Sequence, residues 1–138
     1  MDIIEDINAK LDEFKKVVTS FKFTPINPID KFYPYKKPNE QWPNANKPGV
    51  YIFIVDDNTK PLYIGKCERV LGNRIWYHLG RIDNSSKDIF PYAEDWIKRS
   101  REKLCFLTIP VDPSWLAPAL ESFLIEKLNP IHNRQGKE

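Results

Sequence analysis

The apolar positions of the first 21 residues recur at Ile4, Ile7, Leu11, Phe14, Val18 and Phe21. Steps of three and four place all six on one side of an α-helix, so the spacing predicts an amphipathic helix over 3–21. Such a seam has two uses. It can dock on the chain's own domain, or it can pair with a second copy, since three heptads lie near the lower bound for a coiled coil. The pattern then breaks. Six of the twelve prolines fall between Pro25 and Pro48, interleaved with Phe32, Tyr33, Tyr35 and Trp42. Proline has no N–H and a fixed φ, so this density excludes helix interiors and central strands and predicts an extended arm laid over the domain by its aromatic rings.

From Gly49 onward the periodicity is that of a sheet. Residues 50–55 and 61–66 read as two strands joined by the polar turn 56–60, hence a hairpin. If Gly49 lies opposite Gly65, Tyr51 lies opposite Tyr63 and both phenols share one face, with two side-chain-free positions at the open end where a backbone or ligand can approach closely. A helix begins between 69 and 73 and runs to Leu79, burying Leu71, Ile75 and Leu79, with Gly80 as its stop. Residues 91–102 form a further helix around Trp96 and Ile97, and 103–110 a third strand. The last helix begins near Asp112-Pro113-Ser114 and stops before Asn129-Pro130. The expected organisation is an N-terminal unit of helix and arm, 1–48, packed into one body with a domain over 49–138.

Length and composition narrow the field. A chain of 138 residues supports one hydrophobic core and falls short of two ordinary domains. With 41 % hydrophobic and 29 % charged residues and 18 aromatic ones, it is a packed protein and not a disordered tail. The longest apolar run, 50–55, is far below the roughly 20 residues that cross a bilayer. The first residues lack a basic segment followed by an apolar one, so the expected location is intracellular, that is cytoplasmic. Cys67 and Cys105 lie outside CxxC and Cys/His spacings, which argues for buried or half-buried thiols over zinc or redox chemistry. The net charge of +2 is uneven: residues 1–13 hold five acids and one lysine, and the remainder holds 20 basic and 14 acidic residues. A mildly basic body suits a polyanionic partner without requiring one. Lys98, Arg99, Arg101 and Lys103 could track a phosphate backbone, or they could be a solvated helix end. The aromatic arm likewise offers rings on which a peptide or bases could stack.

Three positions carry candidate chemistry. Arg74 and His78 are four apart and share a helical face beside the Leu71/Ile75/Leu79 stripe; an arginine brings a planar cationic fork suited to phosphate, and a histidine a donor or acceptor near neutral pH. Tyr77 and Arg81 are neighbours that could substitute for His78. Glu121 is the third, with Ala117, Pro118, Leu124 and Ile125 as its helical neighbours. A carboxylate inside an apolar stripe needs a partner, either an arginine or a metal ion. Glu126 reads as a solvated surface acid.

In this order the residues resemble a family. Gly49-Val50-Tyr51, eleven intervening residues and Tyr63-Ile64-Gly65-Lys66 are similar to the GIY-YIG nuclease signature, with Val in place of Ile in the first triplet. The resemblance continues through Arg74 and His78, then Glu121 within 119–125, and ends on Asn133; it covers about 49–134, and five elements in one order make it specific. It implies an α+β fold, a small three-stranded antiparallel sheet flanked by helices. It further implies a metal-dependent endonuclease that hydrolyses phosphodiester bonds in DNA with one divalent cation, Mg2+ or Mn2+. On this resemblance Glu121 holds the metal and Tyr51 lies near the attacking water as candidate general base. Arg74 clamps the scissile phosphate, Tyr63, Lys66 and His78 orient water and phosphate, and Asn133 braces the site. A two-metal mechanism needs several converging acids; Asp83, Asp88, Glu94 and Asp95 could contribute only through water. The alternatives are a catalytically silent nucleic-acid-binding module and a nuclease directed at RNA.

Overall fold

The computed structural model describes residues 2–18, 26–37, 40–56, 58–80 and 93–133. Helix α1, Ile3–Val17, starts where Asp2 accepts the backbone N–H of Glu5 at 2.8 Å, a side-chain cap on an otherwise orphaned donor. It stops earlier than the periodicity predicts, at Val17, because Val18 turns extended. Phe21, expected on its seam, lies outside the described residues. The seam itself is spent inside the chain: Ile3, Ile4, Ile7, Leu11 and Phe14 are buried in one cluster with the C-terminal helix, and Phe14 meets Phe123 at 5.1 Å. Of the two uses of the seam, these residues serve the first, docking on the chain's own domain, where their apolar surface is removed from water.

Three antiparallel strands form the sheet. They are β1 Gly49–Val55, β2 Tyr63–Cys67 and β3 Leu104–Pro110, in the order β2-β1-β3. β1 is central and buried on both faces throughout, which is why its sequence is an unbroken apolar run and not an alternation. The register differs from the expected one by two residues. Tyr51 lies opposite Gly65, and Phe53 opposite Tyr63. A shift of two keeps every side chain on its face, so both phenols do share one side, but diagonally.

The two strand edges are covered in different ways. The arm lies along β3, where Phe32 exchanges both backbone hydrogen bonds with Phe106 at 3.1 and 2.9 Å. The C-terminal segment lies along β2, where Ile131 and His132 donate to Pro61 and Leu62 and the Asn133 amide bonds both N–H and C=O of Ile64 at 2.8 and 2.7 Å. These contacts pair part of each edge, which reduces the row of free groups that would template association. Asn8 pins the start of the arm in the same manner, bonding both backbone groups of Ile26 at 2.9 Å.

Helix α2, Leu71–Leu79, has no side-chain cap; instead its first N–H groups, on Leu71 and Gly72, donate to the arm carbonyls of Lys47 and Ala45 at 2.8 and 2.9 Å. The aromatic arm is thus a cap for α2 as well as a cover, with Trp42 against Trp76 and Phe106. Helix α3 is shorter than expected, Asp95–Ser100 followed by a tight turn over Arg101–Lys103. Residues 91 and 92 of the expected helix lie outside the described residues. Helix α4, Ala117–Leu128, follows a single tight turn at Ser114–Leu116, which admits Pro118 in its first turn, where the missing N–H costs nothing. The architecture is α+β, as the resemblance implied. No helix among the described residues is long and apolar enough to cross a membrane.

Candidate active site

A cavity of about 480 Å3 opens beside β2, lined by Tyr51, Tyr63, Gly65, Lys66, Cys67, Glu68, Arg74 and Glu121. Each element contributes by its geometry. β1 and β2 present the phenols from one sheet face, α2 brings Arg74, and α4, which packs on β2, brings Glu121. Gly65 is where the fold requires glycine. The Tyr51 ring lies across it so closely that a Cβ there would stand 2.2 Å from the phenolic oxygen. The space expected for a ligand at this position is occupied by the tyrosine itself, and at Gly49 by the Ile109 carbonyl of β3.

Tyr51 is fully buried and stacks with Tyr63 at 6.3 Å, nearly parallel. Burial pushes its phenol well above the usual tyrosine range, the charge of a tyrosinate at Tyr63 would push it further, and the Arg74 guanidinium pulls it down. Tyr63 is raised by its own burial and by Glu121. Both groups are therefore neutral phenols at physiological pH. Burial also raises Glu121, against the lowering influence of Lys66 and Arg74. This partly buried carboxylate has no hydrogen bond or ion pair to any described residue. Two hard oxygens facing a polar cavity without a partner are the donor type a divalent cation takes. No group of three or more His, Cys, Asp or Glu side chains is gathered among the described residues, so the donor set would consist of Glu121 and solvent or substrate oxygens.

Of the residues singled out in the sequence, the cavity brings together Tyr51, Tyr63, Gly65, Lys66, Arg74 and Glu121. Gly49 sits in the sheet beneath, and Asn133 is buried, bracing Ile64 between the two cavity-lining positions of β2. His78 does not line the cavity. It stands behind Tyr51, only 5 % exposed, with Nε2 at 2.8 Å from the phenolic oxygen and Nδ1 at 2.6 Å from Glu94 Oε1. Tyr77 is exposed beneath the Arg74 guanidinium; Arg81, Asp83 and Asp88 lie outside the described residues. Lys98, Arg99, Arg101 and Lys103 sit on α3 and its following turn, outside the cavity. Cys105 is buried and Cys67 half-buried, both free thiols.

One contributor and one partnership escaped the sequence. Glu68 lies at the cavity wall, paired with Lys66 at 3.1 Å, and the alternation of β2 could have flagged it, two residues beyond Lys66. Glu94 reads locally as an acid opening a helix, and nothing in its spacing shows that it reaches His78.

No family model matches the chain, and neither does any curated protein. Among solved structures, the chain is 31 % identical to the GIY-YIG N-terminal endonuclease domain of UvrC from Thermotoga maritima, bound to its catalytic divalent cation magnesium, over 65 % of this chain and 86 % of that one, with a TM-score of 0.45. The chain is thus similar to a GIY-YIG endonuclease domain. A point mutant of the same UvrC domain, a tyrosine-to-phenylalanine change, matches with identical figures. The two triplets of this chain open β1 and β2, and their pairing explains the second glycine: it makes room for the tyrosine of the first triplet.

Proposed function

We propose that the protein is a metal-dependent endonuclease that hydrolyses phosphodiester bonds in DNA. The observation that carries this reading is the unpartnered Glu121 carboxylate in one cavity with Arg74, Lys66 and the Tyr51/Tyr63 pair. The magnesium of the UvrC domain supports the same assignment here. A bound Mg2+ or Mn2+ would supply Lewis-acid polarisation of the phosphoryl oxygens, and Glu121 would hold it.

The remaining work falls to the chain's own residues. Arg74 presents a planar cation to the scissile phosphate, where a fork of N–H donors matches two oxygens. Lys66 adds a point charge once substrate competes for it with Glu68. As the diester passes through its transition state negative charge accumulates, and cations already held in place stabilise it without reorganisation. Tyr51 accepts the proton of the attacking water and Tyr63 orients that water from the adjacent ring. Asn133 keeps β2 in register behind them.

Incubation of the purified chain with plasmid, single-stranded DNA and RNA, with Mg2+ or with EDTA, tests the reading. The expected result is Mg2+-dependent strand breakage of DNA, reduced on the order of 10²–10³-fold in Glu121→Ala with a folded circular dichroism spectrum. Intact cleavage by Glu121→Ala would sink it. Retardation without breakage in every buffer marks a silent binding module, and cleavage confined to RNA marks the RNA-directed alternative.

A further inference from the structure

Glu94 lies outside the family signature, yet it is wired to its centre. Its Oε1 stands 2.6 Å from His78 Nδ1, its Oε2 accepts the Trp96 indole N–H at 2.8 Å, and His78 Nε2 is 2.8 Å from the Tyr51 hydroxyl. An ionised carboxylate only accepts, so the Nδ1 of His78 carries the proton. In a neutral imidazole Nε2 is then bare, and the Tyr51 phenol donates to it. The opposite tautomer would set a lone pair against the carboxylate.

We propose that Glu94 is a positioning residue of this active site, fixing His78 as the Nδ1–H tautomer so that Nε2 is the acceptor for the phenolic proton of Tyr51. This rests on the hydrolytic reading of the Tyr51 cavity. Tyr51 can take a proton from water only if its own proton leaves, and the bookkeeping closes along one line: a water O–H breaks as an Oη–H forms, while the original Oη–H breaks as an Nε2–H forms. The resulting imidazolium is held against the Glu94 carboxylate, which stays ionised. The water oxygen bonds phosphorus as the P–O bond to the leaving oxygen breaks, its electron pair going to that oxygen, which takes a proton from solvent. Glu94 is oriented in turn by Trp96, whose ring lies nearly parallel to Tyr63 at 5.7 Å and to His132 at 5.2 Å. Glu94, immediately before α3, thereby completes a site that α2 and the hairpin begin.

The chain has two histidines, so long-range 1H–15N correlation spectra of 15N-histidine-labelled full-length protein resolve His78, with His132 as an internal reference. The native protein is expected to show His78 with a protonated Nδ1 and a bare Nε2 at neutral pH. In Glu94→Ala the expected signature is a mixture or a switch to Nε2–H, with kcat on plasmid DNA lowered about 10–10²-fold and KM little changed, by analogy with supports of catalytic imidazoles. Glu94→Gln, which keeps one acceptor oxygen, is expected to be intermediate. If Glu94→Ala does not fold, Trp96→Phe, which keeps a ring but removes the donor to Glu94, is expected to give a smaller shift of the same sign. An Nε2–H tautomer in the native chain, or an unchanged His78 pattern with unchanged kcat in Glu94→Ala or, where that variant does not fold, in Trp96→Phe, overturns the proposal. The spectra decide this even if the chain cuts no DNA, an outcome that would count against the nuclease reading alone.

Discussion

β1 divides the protein into two halves that are equally buried and chemically unlike. On one side Val50, Ile52 and Ile54 join α1 and α4 in an aliphatic cluster that includes Ile64, Leu107 and Ile109. On the other, Tyr51 and Phe53 join α2, Trp96 and Phe106 in an aromatic one. The aliphatic side contains no hydrogen-bonding handle among these residues and gains its stability from area and fit. The aromatic side trades some of that for direction. Its rings meet edge-on, tilted or stacked at 4.6–6.3 Å, and each polar tip is aimed, Tyr51 at His78, His78 at Glu94, Trp96 at Glu94. One strand thus serves both stability and chemistry by alternation alone.

Four substitutions probe that division, in falling order of effect. Tyr51→Phe deletes one oxygen from the aromatic side and keeps the ring over Gly65; cleavage should fall by roughly 10²–10⁴-fold, the range for losing a general base, with the thermal midpoint lowered by only a few degrees for the unpaired His78 Nε2. Activity within threefold of native would mean that the phenol is packing only. Ile52→Ala is its counterpart on the aliphatic side, expected to cost about 2–5 kcal/mol of stability by cavity formation while cleavage per folded molecule stays constant; urea titration read with active-site occupancy separates the two quantities, and a large rate loss at full folding would erase the contrast.

Gly65→Ala addresses the boundary between the roles. Its Cβ would collide with the Tyr51 phenol, so we expect about 1–3 kcal/mol of destabilisation together with a rate loss, and Tyr51→Ala, which removes the ring, should relieve the clash in the double variant. Strict additivity of the two changes would contradict the geometry.

Glu121→Gln should give the smallest and most telling stability change. Burial raises the carboxyl of Glu121, so the folded chain prefers it protonated. The stability this group contributes is complete below its unfolded pKa and is lost as pH rises through the raised folded value. At pH 7 without metal the ionised side chain is therefore a cost, softened by its partial exposure to solvent, and Glu121→Gln should melt slightly higher than the native chain, with the gap closing toward pH 4. A variant less stable at pH 7 would mean that the carboxylate has a structural partner after all.

The legibility of the molecule follows from range. Local spacing was enough for α1 as far as Val17, for both hairpin strands, for α2 and its buried Leu71, Ile75 and Leu79, and for β3, because each depends on contacts within a turn or a pleat. The motif order placed Tyr51, Tyr63, Lys66, Arg74 and Glu121 in advance, and one cavity gathers them. The hairpin register was missed by two residues because symmetry of the glycines suggested a pairing that the bulk of the Tyr51 ring forbids.

What the chain determined by itself is the inventory: the helices and strands, the order of the signature, and a carboxylate stranded in an apolar stripe. What only the tertiary structure decided is who meets whom across many residues. The arm caps α2 and covers β3, Asn133 clasps Ile64 from 69 positions away, and Glu94 finds His78. Periodicity reports which way a side chain faces, but a partner is chosen by how whole elements pack, and that depends on every face at once.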